Sequence, residues 1–186
     1  MDRFMEQVVV KKQRGLNEAL YVLAMISMVL FAILGMMYLQ MLFYAFSVPA
    51  LVITVMLLGG AVLLFLYRDR LRAEYEYTFT NGDVDFAMVF NNQKRKSLGS
   101  LKVTRVDAFG PVSGSSFQRY VSMPGIKRNN WFLNRGADLY YFYFQKENNK
   151  RIIIFEPNEE MVSYIKQYLP RGAWQERGLK HQGSLS

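Results

Sequence analysis

The chain has no cysteine and a single histidine among its 186 residues. Without cysteine, the sequence cannot form a disulfide scaffold, a zinc–thiolate centre or a thiol nucleophile. A Ser-His-Asp triad requires a placed imidazole, and the one candidate is His181, close to the C-terminus. We therefore predict no catalytic residue, no metal site and no cofactor in this chain.

Charge is missing from one long stretch of the sequence. No Asp, Glu, Lys, Arg or His occurs among the 49 residues from Ala19 to Tyr67. Since a helix needs about 20 apolar residues to cross a bilayer, this run is too long for one crossing and long enough for two. We predict a transmembrane hairpin over residues 19–67, with helices near 20–39 and 49–67. A buried hairpin of a soluble protein would show a charged face, and a signal peptide would be much shorter.

Positive charge flanks this run on both sides, whereas the predicted connection between the helices carries none. The flanking cations are Arg3, Lys11, Lys12, Arg14, Arg68, Arg70 and Arg72. Cationic flanks of membrane helices remain on the cytoplasmic side. We therefore predict a protein of the plasma membrane with both termini in the cytoplasm.

Residues 1–18 allow two interpretations. Phe4, Met5, Val8 and Val9 recur at helical spacing, which fits a short helix lying in the headgroup layer. The same segment also fits an irregular cytoplasmic arm that only fixes the topology through its cations. The sequence leaves both interpretations open.

After a basic junction at residues 68–73, the pattern becomes that of β-strands. In residues 74–80 and 83–90 the side-chain character alternates with the period of two of a strand, and many side chains are aromatic or β-branched. The Asn81-Gly82 pair between them is a strong signal for a two-residue hairpin turn.

The sequence signals for the remaining elements are weaker until the C-terminal hairpin and helix. Gly, Pro, Ser and Asn interrupt residues 110–138, whose role the sequence does not indicate. The last helix has an apolar stripe, and the tail at 171–186 is expected to be flexible. The predicted elements are strands at 101–108, 117–121, 131–133, 139–144 and 150–156 and a helix at 157–169.

These elements predict an α+β membrane protein. A small antiparallel β-barrel or sandwich over residues 74–170 follows the transmembrane hairpin. The C-terminal helix caps it, because an open edge or end of the strands needs a cover.

Three parts of the sequence resemble a known family: residues 74–77 with 80–85, residues 94–96, and residues 154–161 with 168–171. They are similar to small, uncharacterised membrane proteins of Gram-positive bacteria, in which a two-helix transmembrane hairpin precedes a bacterial PH-like domain of unknown function. The resemblance implies a PH-like fold and a bacterial cell membrane, and it implies no catalytic residues. The sequence departs in one respect from the PH domains that bind phosphoinositides. Phosphoinositide-binding PH domains use a long basic loop between their first two strands, and the turn at Asn81-Gly82 is short and acidic.

Two clusters of cations are candidate contacts with the membrane surface: Arg68, Arg70, Arg72, Lys94, Arg95 and Lys96. The second cluster is predicted to lie in a polar turn, for which an ordinary solvated turn is the alternative. A cation near an anionic leaflet contributes about 1 kcal/mol. The basic residues between 119 and 135 are dispersed, so we predict no nucleic-acid partner.

The sequence supports three functional hypotheses. The first is a non-enzymatic membrane protein whose cytoplasmic domain binds another protein or its own copies. The second is a module that binds anionic lipids through its basic turns and the irregular stretch at residues 110–138. The third is an enzyme acting on lipid or cell-wall precursors, which the sequence favours least because it shows no nucleophile and no acid–base pair.

Overall fold

The computed structural model describes residues 2–12, 14–147 and 149–176. The chain divides into two compact units. The hairpin unit comprises residues 12–73 and 90–94, and the sheet unit comprises residues 1–11, 74–89 and the chain from 95 onward. The sheet unit is therefore assembled from both sides of the hairpin, because residues 1–11 precede it in the chain. His181 and residues 177–186 of the predicted tail lie outside the described residues.

The hairpin unit consists of two apolar helices, α1 (Arg14–Tyr44) and α2 (Val48–Tyr67), followed by a 3-10 helix at Arg68–Arg72. Both helices are long and apolar enough to cross a membrane. α1 is longer than the predicted helix at 20–39, and no proline interrupts the chain before Pro49. At the start of α2 the Ser47 hydroxyl accepts a hydrogen bond from Ala50 N at 3.4 Å.

The helices approach closely at Gly35. A Cβ atom on this residue would lie 2.6 Å from Leu58 Cδ2, so only glycine fits here without rearrangement. Thr54 is buried and donates its hydroxyl hydrogen to Ala50 O at 2.8 Å, so it is satisfied within its own helix. The sequence between Ala19 and Tyr67 has no Asp, Glu, Lys, Arg or His that could line an ion pathway.

Sheet A of the sheet unit has four strands in the order β1-β2-β3-β4. They are β1 (Phe4–Val9), β2 (Ala73–Thr80), β3 (Asp83–Phe90) and β4 (Lys94–Lys102). β1 pairs antiparallel with β2, from Phe4 opposite Thr80 to Val9 opposite Tyr75.

The N-terminal segment is thus a strand, and both the interfacial helix and the irregular arm were wrong for residues 4–9. Phe4 and Val8 are four residues apart and therefore satisfy a helical period and a period of two equally well. Burial decides between the two periods, because Met5 and Val9 contact the core while Phe4 and Val8 are exposed. The long connection between the first two strands is consequently the hairpin unit itself, and the turn at Asn81-Gly82 joins the second and third strands.

That turn was predicted correctly. Asn81 and Gly82 have φ values of 48° and 93°, as a type I′ hairpin requires. A Cβ atom on Gly82 would lie 2.6 Å from Tyr168 Cδ1, so close packing of the last helix also needs glycine here.

Sheet B has four strands in the order β5-β7-β8-β6. They are β5 (Ala108–Pro111), β6 (Lys127–Trp131), β7 (Tyr140–Lys146) and β8 (Asn149–Phe155). β5, β7 and β8 are antiparallel neighbours, whereas β6 runs parallel to β8. The two helices of this unit are α3 (Ser115–Val121) and α4 (Glu159–Tyr168).

Three predicted strands differ from the structure. Residues 117–121 are helical because Phe117, Tyr120 and Val121 follow a short helical period that packs on sheet B. The strand predicted at 131–133 is β6, which ends at Trp131. The strand predicted at 101–108 is divided by a 3-10 helix at Val103–Arg105 into the end of β4 and the start of β5.

The main core lies between the two sheets and is largely aromatic. α4 completes it with Met161, Val162 and Ile165, all buried. The sheets remain open at their edges, so the fold is a sandwich of two open sheets capped by α4 and not a closed barrel. The largest fully buried side chains of this core are Tyr77, Phe79, Phe86, Phe109, Phe142 and Phe155.

The first part of the predicted tail is paired with the sheet. Phe109 N donates to Ala173 O at 2.8 Å, and Gln175 N donates to Phe109 O at 2.8 Å. The chain at 173–175 therefore covers the free edge of β5.

Candidate functional site

Polar side chains tie β1 to the part of the chain that follows β8. The Gln7 side chain donates from Nε2 to Glu156 O at 2.9 Å and accepts at Oε1 from Asn158 N at 2.8 Å. Asn134 Nδ2 donates to Val10 O at 2.9 Å and to Glu156 Oε1 at 3.0 Å. These bonds hold the N-terminal strand from both its backbone and its side chains, so this cluster stabilises the fold.

Tyr77 lies at the centre of the same region. Its hydroxyl donates to Trp131 O and accepts from Glu156 N at 3.4 Å, and its ring is fully buried. Burial raises the pKa of Tyr77 far above its ordinary value. The hydroxyl thus remains protonated and joins the sheets through these two hydrogen bonds.

The outer face of sheet A holds a buried carboxyl group that sequence reasoning missed. Glu76 is only 8% exposed, although the alternation of residues 74–80 predicts that it faces solvent. Arg95 Nη2 lies 2.7 Å from Glu76 Oε1, and the guanidinium is well exposed. Burial raises the pKa of Glu76, as does the hydrogen bond with Glu6, whereas the charge of Arg95 lowers it. No sequence signal separates Glu76 from Glu74, because burial on this face depends on the neighbouring strands.

The junction arginines, three of the predicted membrane contacts, differ in their surroundings. Arg72 forms an ion pair with Glu18 and lies over the ring of Tyr21, with 3.7 Å between its Cζ and the ring centroid. It also donates to Asn91 Oδ1 at 3.2 Å. Its guanidinium therefore has partners within the hairpin unit.

Arg68 is likewise engaged, at 2.9 Å from Met25 Sδ and 3.7 Å from Asp69 Oδ1. Arg70 is exposed, and its Cζ lies 4.6 Å from the centroid of the Tyr67 ring. Of the three junction arginines, Arg70 is therefore the one with an exposed side chain.

Lys94, Arg95 and Lys96 were predicted in a turn and instead begin the edge strand β4. Arg95 is the partner of Glu76, whereas Lys94 and Lys96 are exposed and have no ion pair within the described ranges. Charged side chains on an edge strand disfavour pairing with another chain, so edge protection is part of their role.

Asp83 and Asp85, two carboxylates in the first residues of β3, do not form an acid–base or metal pair. Asp83 lies 3.9 Å from Lys102 Nζ, while Asp85 is exposed. Among residues 2–12, 14–147 and 149–176, no cluster of three His, Asp or Glu side chains could hold a metal ion.

A half-open groove lies where β5 and β8 end and α4 begins. Its volume is about 500 Å³. Asp138, Tyr140 and Glu159 line it, and Trp174 forms one wall with Lys166 Nζ lying 3.7 Å from its ring centroid. Acidic, basic and aromatic groups are mixed here, so its charge favours no single class of ligand.

A two-sheet sandwich capped by a C-terminal helix, with two apolar helices between its first and second strands, defines the class as a PH-like domain with candidate membrane spans. The model of the family described as "Bacterial PH-like domain (DUF6106)" matches residues 1–175. The chain belongs to this family, whose function is unknown. No curated protein and no solved structure matches the chain.

Proposed function

We propose that this protein is an integral membrane protein that presents a PH-like interaction domain on the cytoplasmic face of the bacterial plasma membrane. The pairing of β1 with β2 is the observation that supports this membrane topology. β1 precedes α1, β2 follows α2, and the two strands pair over six residues. Strands of one sheet lie in one compartment, so the helices between them must cross the bilayer an even number of times. The cations on both flanks favour the cytoplasmic side.

The topology can be tested because the chain has no cysteine of its own. Phe46→Cys places a thiol in the connection between α1 and α2, and Thr104→Cys places one in the sheet unit. A membrane-impermeant maleimide applied to intact cells should label the first thiol, and the second only after permeabilisation. Labelling of Thr104→Cys in intact cells would contradict the proposal.

The domain acts by binding a protein, either a partner or its own copies, and not by catalysis. The polar groups buried in the sheet unit are used to join its strands, as at Gln7 and Tyr77. The outer face of β1 exposes Phe4 and Val8 at 64% and 53%, next to the charged Glu6. Exposed apolar side chains bordered by charge are typical of interaction surfaces.

The test of this role uses the full chain in detergent. Light scattering measures its oligomeric state, and affinity capture from membranes of the host recovers partners. Phe4→Ser and Val8→Thr together should reduce either association, whereas Phe43→Ser, at an exposed aromatic residue of α1, should not. A monomer that captures no partner would contradict a protein-binding role.

Binding of anionic lipids is the second candidate function. The exposed cations Arg70, Lys94 and Lys96 support it. Lys146, Lys150 and Arg151, which the sequence did not indicate for this role, join Lys96 and Lys127 and give the candidate a specific site.

A further inference from the structure

The strand register of sheet B brings cations together at one end. Lys127 of β6 lies opposite Arg151 of β8, and on the other side Arg151 lies opposite Phe144 of β7. Lys146 lies two residues beyond Phe144, and Lys150 is adjacent to Arg151. Neighbouring strands are about 4.8 Å apart, so these four cations lie on three adjacent strands within a short distance.

Three of these cations project toward the gap between the sheets. Phe144 is buried in the core between the sheets, and residues opposite each other in a sheet share a face. Arg151 and Lys127 lie opposite Phe144 in the register of sheet B, and Lys146 is two residues after it in β7. All three side chains therefore project from the same face of sheet B as Phe144. Lys150 projects from the opposite face, next to Gln145.

Sheet A contributes one more cation to the same end. Lys96 has the parity of Leu98, which packs on the core, so Lys96 also projects toward sheet B. Val103, after the other end of β4, donates from its backbone N to Gly82 O at 2.8 Å. Lys96 is thus remote from the Asn81-Gly82 turn and near the end at which β2 begins.

Contacts of β2 with β6 place Lys127 at that end as well. Tyr75 donates to Asn130 O at 3.3 Å, and Tyr77 donates to Trp131 O. Earlier residues of β6 therefore lie nearer to earlier residues of β2, so Lys127, the first residue of β6, lies toward the start of β2. We call Lys96, Lys127, Lys146, Lys150 and Arg151 the basic end of the sheet unit.

The charges of the basic end are not neutralised within the protein. No ion pair among residues 2–12, 14–147 and 149–176 involves any of the five. Lys96, Lys127 and Lys146 are exposed, and Arg151 Nε is buried without a hydrogen-bond partner among the described residues. The nearby acids are Asp107, which lies opposite Phe144 just before β5, Glu147, in the turn after β7, and Glu74, on the outer face of sheet A. Cations this close repel one another, so an anion bound here would be stabilised.

We propose that the basic end binds the phosphate groups of anionic lipid headgroups in the bilayer that holds the hairpin. The inference rests on the proposed function, in which both helices cross that bilayer. Chain connectivity supports a lipid as the source of the phosphate. β2 begins directly after the 3-10 helix that follows α2, and β1 ends at Val9, a few residues before α1. Lys96 and Lys127 of the basic end thus lie toward the start of β2, which is covalently joined to α2.

The experiment uses the full chain in nanodiscs of phosphatidylcholine alone or mixed with phosphatidylglycerol. Gln145→Cys introduces a thiol beside Lys150, and a water-soluble maleimide measures its accessibility. We expect labelling to be slower by roughly threefold or more in the anionic discs, and this protection to decrease at high salt. Thr80→Cys, at the end of β2 beside the Asn81-Gly82 turn, should react at the same rate in both discs.

Matched charge variants identify the groups responsible. Lys127→Gln, Lys146→Gln and Lys150→Gln together should abolish the protection at Gln145→Cys. Lys102→Gln, Arg105→Gln and Arg171→Gln remove equal charge near the Asn81-Gly82 turn and should preserve it.

Several results would overturn the inference. They are equal labelling in both discs, protection that survives the first set of variants, and equal protection by inorganic phosphate added to neutral discs. The last result would identify free phosphate as the ligand. The thiol at Phe46→Cys reports the topology separately, so failure of the membrane hairpin and failure of lipid binding give different results.

Discussion

The arginines of the junction and the cations of the basic end carry the same charge in opposite surroundings. Arg72 is paired with Glu18 and packed on Tyr21, whereas Lys127 faces Arg151 across the sheet. Glu18 lies within reach of Arg72 in the hairpin unit, whereas the acid in the row that contains Lys127 is Asp107, at the far edge of sheet B beside Phe144. Two basic clusters thus differ in their surroundings: the first has partners within the chain, and the second is the one that we propose binds a ligand.

Arg95 is an intermediate case, and its removal should have the largest effect. Arg95→Ala leaves the buried carboxylate of Glu76 without its partner. Loss of one member of a fully buried pair costs about 3–5 kcal/mol, and because Arg95 is 59% exposed we expect a lower cost of about 1–2 kcal/mol. Urea unfolding followed by tryptophan fluorescence measures this, since Trp131 and Trp174 both lie in the sheet unit. Arg95→Lys should retain part of the stability, and an unchanged free energy of unfolding in Arg95→Ala would contradict this account.

Arg72→Ala should loosen the junction. The substitution removes an ion pair, a hydrogen bond and the packing on Tyr21, together about 1–2 kcal/mol of local stability. Local opening governs proteolysis, so trypsin should cleave after Arg68 and Arg70 about tenfold faster. Lys96→Gln is the control and should leave this cleavage rate unchanged. Equal rates in Arg72→Ala and the unmodified chain would show that Arg72 is not structural.

The carboxyl of Glu76 should make stability depend on pH. Its pKa in the folded protein is raised, mainly by burial, so the folded state binds a proton that the unfolded chain has already released. This contribution is fully present below the unfolded pKa and is lost as pH rises through the folded one. Unfolding titrations at several pH values should show the loss, and Glu76→Gln should remove it. A Glu76→Gln variant with the same pH dependence would assign the effect to another group.

Much of the fold could be predicted because its signals are local. The uncharged run from Ala19 to Tyr67, the Asn81-Gly82 turn and the apolar stripe of α4 each identify one element without knowledge of the rest. β1 could not be identified in this way. Its six residues fit two periods, and its partner is β2, about 70 residues later in the chain.

The candidate site was less predictable for the same reason. Arg68, Arg70 and Arg72 are adjacent in sequence and attract attention as a cluster, yet two of them are engaged by other side chains. Lys127 and Arg151 are 24 residues apart, and only the parallel register of β6 with β8 brings them together. A charge pattern in the sequence identifies clusters along the chain and cannot identify clusters formed across a sheet.

The smallest effect on stability is expected at the basic end itself. Lys127→Gln removes a cation that has no ion pair among the described residues and that lies opposite Arg151. Relief of repulsion should leave the free energy of unfolding unchanged or raise it by at most about 0.5 kcal/mol. The same urea titration in neutral detergent measures it, with Lys102→Gln as the control at a paired lysine near the opposite end. A loss above about 1 kcal/mol would show that Lys127 has a structural partner, and the contrast with Arg72 would then disappear.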